Sequence, residues 1–207
     1  MTAPSHEITV CIPTIPQRKG MLERAVRSVV GQTLPAAAIA VATDLTGEGG
    51  WKTRNRAVAM ARTEWVAFLD DDDELLPHHL QRCAEWQEDS GADLVYPCLL
   101  YTSLPTAVFI TSDIIRALGY MAPPCLKHMY LDNYWKALGE GAGCLRYLPD
   151  VVIEHMHPEA GKADVDAGYE DVWPLMEPDR AAYDGFVTSG GLKADVAKVR
   201  ALRKVPV

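Results

Sequence analysis

Trp65-Val66-Ala67-Phe68-Leu69-Asp70-Asp71-Asp72-Asp73-Glu74 sets an apolar run directly against four consecutive aspartates. The apolar half has the length of a buried strand, so it delivers the carboxylates together at one strand end. Charges this close repel by on the order of several kcal/mol where water is partly excluded. Two readings follow from the run alone. It is a solvated acidic turn, the usual fate of charge runs, or a set of oxygen ligands for a hard metal ion.

Toward the N-terminus, residues 8–12 form a β-branched apolar run stopped by Pro13. Met21, Leu22, Ala25, Val26, Val29 and Val30 then fall at helical spacing, which predicts a helix over 21–32. A second apolar run, 38–43, ends at Asp44; Gly47, Gly49 and Gly50 mark a loop, and 51–62 reads as a second helix. Strands that alternate with helices after short loops predict an α/β fold with a parallel sheet, whose ligands collect at the carboxyl ends of the strands. Pro13-Thr14, Asp44 and Asp70 to Asp73 all follow strands and therefore converge on one edge.

Toward the C-terminus, 77–90 reads as a helix with Pro77 in its first turn, and 93–96 as a strand. The pattern then loosens. A strand over 106–111, helices over 112–118 and 130–138, and late strands over 145–148 and 151–155 are expected. Residues 158–191 are acidic, contain Gly and Pro, and show weak periodicity, which predicts an extended or mobile tail. Leu192, Val196, Val199 and Leu202 share one helical stripe, so a terminal amphipathic helix should dock on the body, on a second subunit or on an acidic partner. We divide the chain into one domain, 1–157, and a C-terminal extension, 158–207, whose helix is a candidate homodimer contact.

The 207 residues are 48% apolar, enough for a substantial core. A formal charge of -8 disfavours general affinity for nucleic acid or anionic membrane, so any phosphate must be held by metal or by a local basic cluster. Five cysteines, Cys11, Cys83, Cys98, Cys125 and Cys144, lack CxxC spacing and read as reduced thiols. No signal-like N-terminus and no uninterrupted apolar segment of about 18 residues is present, which predicts a soluble cytoplasmic protein without integral membrane association.

Over roughly 8–158 the chain resembles the family-two glycosyltransferases of GT-A fold. The resemblance is carried by Ile8-Thr9-Val10-Cys11-Ile12-Pro13-Thr14, by Arg24-Ala25-Val26-Arg27-Ser28-Val29-Val30-Gly31-Gln32-Thr33, by Thr53-Arg54-Asn55-Arg56-Ala57, and by Phe68-Leu69-Asp70-Asp71-Asp72-Asp73, which looks like the DxD motif. It implies a Rossmann-like sandwich with a central, mainly parallel sheet and a nucleotide-diphosphate sugar as donor, a UDP-sugar first. Pro13 and Thr14 would contact the nucleoside. Asp44 would accept from the base, or else cap its own loop. Lys52, Arg54 and Arg56 could neutralise the diphosphate, with Arg54 and Asn55 matching the family's Arg-Asn pair. Asp70 and Asp71 would face the nucleotide sugar, and Asp72 with Asp70 would ligate Mn2+ or Mg2+. Asp71 could instead point to solvent, and Asp73 simply cap the next turn.

His155 and His157 alternate on one face of a late strand, and the resemblance makes either a candidate third ligand. The resemblance implies that Asp132, in the place of the second residue of the family's Glu-Asp pair at a helix start, is the candidate base of an inverting transfer of a hexosyl or similar group. Asp132 could instead support the helix N-terminus electrostatically. Tyr101, Tyr120, Tyr130, Tyr134 and Trp135 could stack on an acceptor of unknown identity. Two departures stand out: Thr43-Asp44-Leu45-Thr46 replaces the usual Asp-Asp-Gly-Ser, and Leu131 replaces the Glu before the base. These leave a catalytically degenerate nucleotide-sugar-binding module as the alternative. A dehalogenase-like phosphatase is disfavoured by Glu74 and by the motif's late strand, a nucleotidyltransferase by the glycine-free 12–18 loop, and a processive synthase by the lack of Gln-x-x-Arg-Trp.

Overall fold

A computed structural model describes residues 6–99, 104–155, 161–162 and 164–203. The chain opens with β1 (Ile8–Thr14), a 3-10 turn (Pro16–Arg18), α1 (Lys19–Val30), β2 (Ala38–Thr43), α2 (Gly50–Ala59), β3 (Trp65–Phe68) and β4 (Asp73–Leu75). It continues through α3 (His79–Ser90), β5 (Leu94–Leu99), β6 (Phe109–Thr111), α4 (Ser112–Leu118), α5 (Leu131–Ala142) and β7 (Leu145–His155). Three helices end it: α6 (Ala167–Val172), α7 (Met176–Thr188) and α8 (Gly191–Leu202).

The strands form one sheet in the order β2-β1-β3-β6-β5-β7-β4. β1 pairs in parallel with β2 and β3, and β5 with β7, while β6 and β4 are antiparallel to their neighbours. Five of the seven strands therefore run the same way, as expected. β1 is buried along its whole length because helices cover both faces. Its alternate residues separate into two cores. Cys11 joins Val66 and Phe68 beneath α2, α4, α5 and α8, whereas Val10 and Ile12 join Trp65, Ala67 and Leu69 beneath α1 and α3.

Three expectations are corrected. Asp73 does more than cap a turn: it opens β4, a strand too short and acidic to show periodicity, paired with the end of β7 through Asp73↔His155, Glu74↔Glu154 and Leu75↔Ile153. The two late strands are one, because β7 passes Pro149-Asp150 with a register shift opposite Pro97/Cys98 and keeps pairing with β5. Residues 167–188, expected to be extended or mobile, are helical, and the expected terminal helix is α8. The expected stripe docks on the body: Val199 is fully buried in the core, Leu192 and Val196 pack against it, and Leu202 stays exposed. Among the described residues no helix is long and apolar enough to cross a membrane. Cys11, Cys83 and Cys144 are free and buried, and Cys125 is free and exposed.

Candidate active site

The parallel pairing of β1 with β3 brings Thr14 beside the aspartates. After Leu69, whose N–H donates to Cys11 O at 3.1 Å, the chain reverses in a turn closed by Asp73 N–H to Asp70 O at 3.1 Å. Such a turn sends consecutive carboxylates in different directions. Asp70 emerges toward solvent, while Asp71, Asp72 and Asp73 are only 4%, 5% and 3% exposed.

Each carboxylate has its own partner. Asp70 Oδ1 accepts from Arg54 Nη2 at 2.7 Å. Asp71 does not point to solvent: its Oδ2 accepts from the Thr14 hydroxyl at 2.6 Å, and its Oδ1 from Arg18 Nη1 at 3.2 Å. Burial pushes the Asp71 carboxyl up to about 6 against the opposing pull of Thr14 and Arg18, and the Asp72 and Asp70 charges push the same way as burial. Asp72 Oδ2 accepts from the Tyr169 hydroxyl at 2.5 Å and lies 3.5 Å from Arg18 Nη1.

Arg18 and Tyr169 are functional-site candidates that sequence reasoning did not select. Arg18 donates two bonds to Asp166, from Nε at 2.8 Å and Nη2 at 2.9 Å, and its guanidinium lies 4.6 Å above the Tyr169 ring. Burial opposes its charge, but Asp166, Asp71 and Asp72 together hold its proton more firmly than usual. Arg18 could have been found from its place just after the first strand. Asp166 and Tyr169 carry no local signal, since they fall in the stretch read as a tail.

The other expected residues divide. Asp44 Oδ1 accepts from the N–H groups of Thr46 at 3.2 Å and Glu48 at 3.1 Å, and Oδ2 from Gly49 at 2.9 Å. Burial raises its carboxyl, yet these backbone bonds leave it below the usual range. This is the loop-capping arrangement, and it uses Gly47 and Gly49 at positive φ. Lys52 and Arg56 are both tied to Glu48, at 2.8 and 2.9 Å, on the exposed side of α2. Asn55 clamps the chain before α5: its amide donates to Ala122 O at 2.9 Å and accepts from the N–H of Met121 and Ala122. Pro13 lies in β1 opposite Ala42.

The loop before α5 also reaches this edge. A methyl group on Gly50 would lie 2.7 Å from both Arg54 Nη1 and His128 Nδ1, so these two side chains meet over a bare glycine. Burial and the Arg54 cation hold the half-buried His128 down to about 4, which keeps it neutral. The N–H groups of Lys127, His128 and Met129 all point at the carboxylate of Asp179 on α7, at 3.0, 2.7 and 2.7 Å. Asp132 follows, half-buried in the first turn of α5, after Tyr130, a non-glycine residue at φ 64. His155 is placed by its backbone opposite Asp73, and His157 and Tyr101 lie outside the described residues.

Among the described residues no three His, Cys, Asp or Glu side chains gather as a metal-binding group. The oxygen donors of Asp70 and Asp72 nevertheless fit a hard divalent cation in kind. The charge also fits: among the described residues the four carboxylates of Asp70, Asp71, Asp72 and Asp166 are paired with two guanidiniums, those of Arg18 and Arg54.

Comparison with known proteins agrees with this architecture. Residues 45–144, which include Arg54, the aspartate turn and Asp132, match the family described as Glycosyl transferase family 2. No curated protein matches the sequence significantly. Among solved structures, S. aureus TarS 1-349 in complex with UDP is 16% identical, with a TM-score of 0.59, over 71% of this chain and 59% of that one. The same TarS fragment with UDP-GlcNAc is 15% identical, TM-score 0.55, over 80% and 64%. The mannosyltransferase PcManGT from Pyrobaculum calidifontis, in complex with GDP-Man and Mn2+, is 15% identical, TM-score 0.59, over 96% and 81%. The chain thus spans about three fifths of the length of the first of these. The sheet order and these structural matches give the chain the GT-A fold, and its residues 45–144 are similar to Glycosyl transferase family 2.

Proposed function

We propose that the protein transfers a hexosyl or similar group from a nucleotide-diphosphate sugar, a UDP-sugar first, to an acceptor hydroxyl with inversion, aided by Mn2+ or Mg2+. The observation that carries this reading is the 2.7 Å Arg54–Asp70 pair beside the aspartate turn, at the carboxyl edge of β1 and β3. A cation there suits the diphosphate, and a half-exposed carboxylate suits a ribose hydroxyl or a metal ion. The solved complexes of the similar proteins, with UDP, UDP-GlcNAc, and GDP-Man plus Mn2+, support a nucleotide-sugar donor.

In this reading Asp70 and Asp72 hold the divalent ion, with His155 or His157 as a third ligand. When bound, the ion neutralises charge that develops on the departing diphosphate. Arg54 orients the diphosphate, and Pro13 and Thr14 line the nucleoside. Asp132 takes the proton from the acceptor hydroxyl as that oxygen bonds to the anomeric carbon from the face opposite the diphosphate. The bond from that carbon to the diphosphate breaks, and its electron pair leaves with the nucleotide. Free cysteines suit a reducing compartment, and we place the protein in the cytoplasm.

A nucleotide-sugar-binding module without turnover is the second reading, favoured by Leu131 in the place of the family's Glu. Thermal-shift screening of UDP- and GDP-sugars with and without Mn2+ tests both. A donor at about 100 times its Kd should stabilise the fold by about 2.7 kcal/mol. A flat response across the panel rejects both readings. Stabilisation combined with neither donor hydrolysis nor transfer selects the binding module.

A further inference from the structure

Asp166 and Tyr169 are remote in sequence from the aspartate turn, yet they cover it. Tyr169 donates its hydroxyl to Asp72 and places its ring against Arg18, while Asp166 grips Arg18 through two nitrogens. The remaining nitrogen of Arg18 lies 3.2 Å from Asp71 and 3.5 Å from Asp72. The contacts are mutually dependent: Arg18 is held by Asp166, stacked on Tyr169 and aimed at the same Asp72 oxygen that Tyr169 approaches. Tyr169 is buried, and the Arg18 side chain is only 13% exposed.

This arrangement is incompatible with a divalent ion on the same oxygen. Asp72 Oδ2 already faces a hydroxyl donor and a guanidinium, which together use its accepting directions. Small divalent ions also retain waters and bridge to phosphate, for which a carboxylate so covered leaves no room.

We propose that Arg18, Asp166 and Tyr169 form a clasp that occupies Asp72 in place of a divalent cation, so that metal binding and release of the clasp are one exchange. The proposal rests on the reading of Asp72 as a metal ligand. An incoming cation takes over the neutralisation of Asp72 that Arg18 supplies, and Asp166 remains as a counter-ion for Arg18. No buried charge is left bare during the exchange, which keeps its cost low. Tyr169 is the sensitive element, because loss of its hydroxyl frees Asp72 and leaves both the Arg18–Asp166 pair and the ring stacking intact.

The test is calorimetric titration of Mn2+ in the presence of UDP, with wild type, Tyr169→Phe and Asp72→Asn. Tyr169→Phe should bind Mn2+ roughly tenfold more tightly, the worth of one hydrogen bond to a charged group. Equal or weaker binding by Tyr169→Phe, or no binding by either protein, overturns the clasp. Hydrogen exchange on the wild type gives an independent measurement that needs no variant. Saturating Mn2+ and UDP should speed exchange at the Tyr169 and Glu170 amides, which bond to Asp166; unchanged or slower exchange overturns the clasp. If Asp72→Asn binds Mn2+ like the wild type, the metal-ligand reading falls and the clasp with it. If Asp72→Asn loses Mn2+ while Tyr169→Phe is unaltered, the clasp alone falls.

Discussion

His79 enters the interior at the start of α3, and among the described residues its Nδ1 meets no hydrogen-bond partner. Burial pushes its imidazole down to about 4, against a bond to the Val152 backbone that favours the charged form. Its folded pKa is therefore below the ordinary value of about 6.5. Below that value the unfolded chain takes up a proton that the folded chain refuses, so stability is fully present above about 6.5 and is lost as pH falls toward about 4. We expect this residue to remove about 2 kcal/mol of unfolding free energy between pH 7 and pH 5. His79→Leu should flatten the pH dependence in urea denaturation over that interval, and an unchanged slope would refute the assignment. His79 also marks where sequence reading stops at this scale. Residue types were legible: Asp70 and Arg54 were selected, and they meet. Partners were not, because Asp44 and Asn55 use their side chains on nearby backbone, and nothing in either residue type separates that use from a ligand contact.

Among the elements, those with an apolar period were readable and those anchored by polar groups were not. α4 matches its expected span, and β2 likewise, because apolar spacing defines both. α8 was likewise legible from its apolar stripe and α7 was not, although both bury an aspartate. Asp195 accepts from the hydroxyls of Tyr120 and of Tyr134, the latter at 3.0 Å, and from Lys198 at 3.0 Å, while Asp179 gathers the three amides that precede α5. A buried carboxylate lowers the apolar moment of its own helix, so residues 158–191 read as a tail although 167–188 are helical. Asp179→Ala should cost about 3 kcal/mol, since three N–H groups lose their acceptor at about 1 kcal/mol each. Asp179→Asn keeps one acceptor oxygen and should cost about half as much. Urea midpoints measured at constant m-value check both, and a loss below about 0.5 kcal/mol for the alanine variant would show that α7 does not hold this loop.

For the whole molecule, the question raised by the sequence is whether residues 158–207 are an appendage or part of the cooperative unit. The packing favours the second. α8 lies on α4 and α5, with Val199 inside the core and Val196 against Gly141, where a methyl group on the glycine would lie 2.8 Å from Val196 Cγ2. Arg200 and Arg203 also donate to the carbonyls of Gly141 and Gly143 at the C-terminal end of α5. Without these helices Tyr134 would keep a buried hydroxyl with no acceptor on α8, and the α4 and α5 faces would be bare to water. We therefore expect one transition in urea, with coincident midpoints from far-UV circular dichroism and tryptophan fluorescence. Trp65 and Trp135 report on the sheet and α5, and Trp173 on the C-terminal segment, so the probes span both parts. A chain lacking 158–207 should fail to reach the same cooperative state. Two separated midpoints, or a truncated chain that melts as sharply as the whole, would establish the appendage and leave the aspartate turn to be completed by residues 1–157 alone.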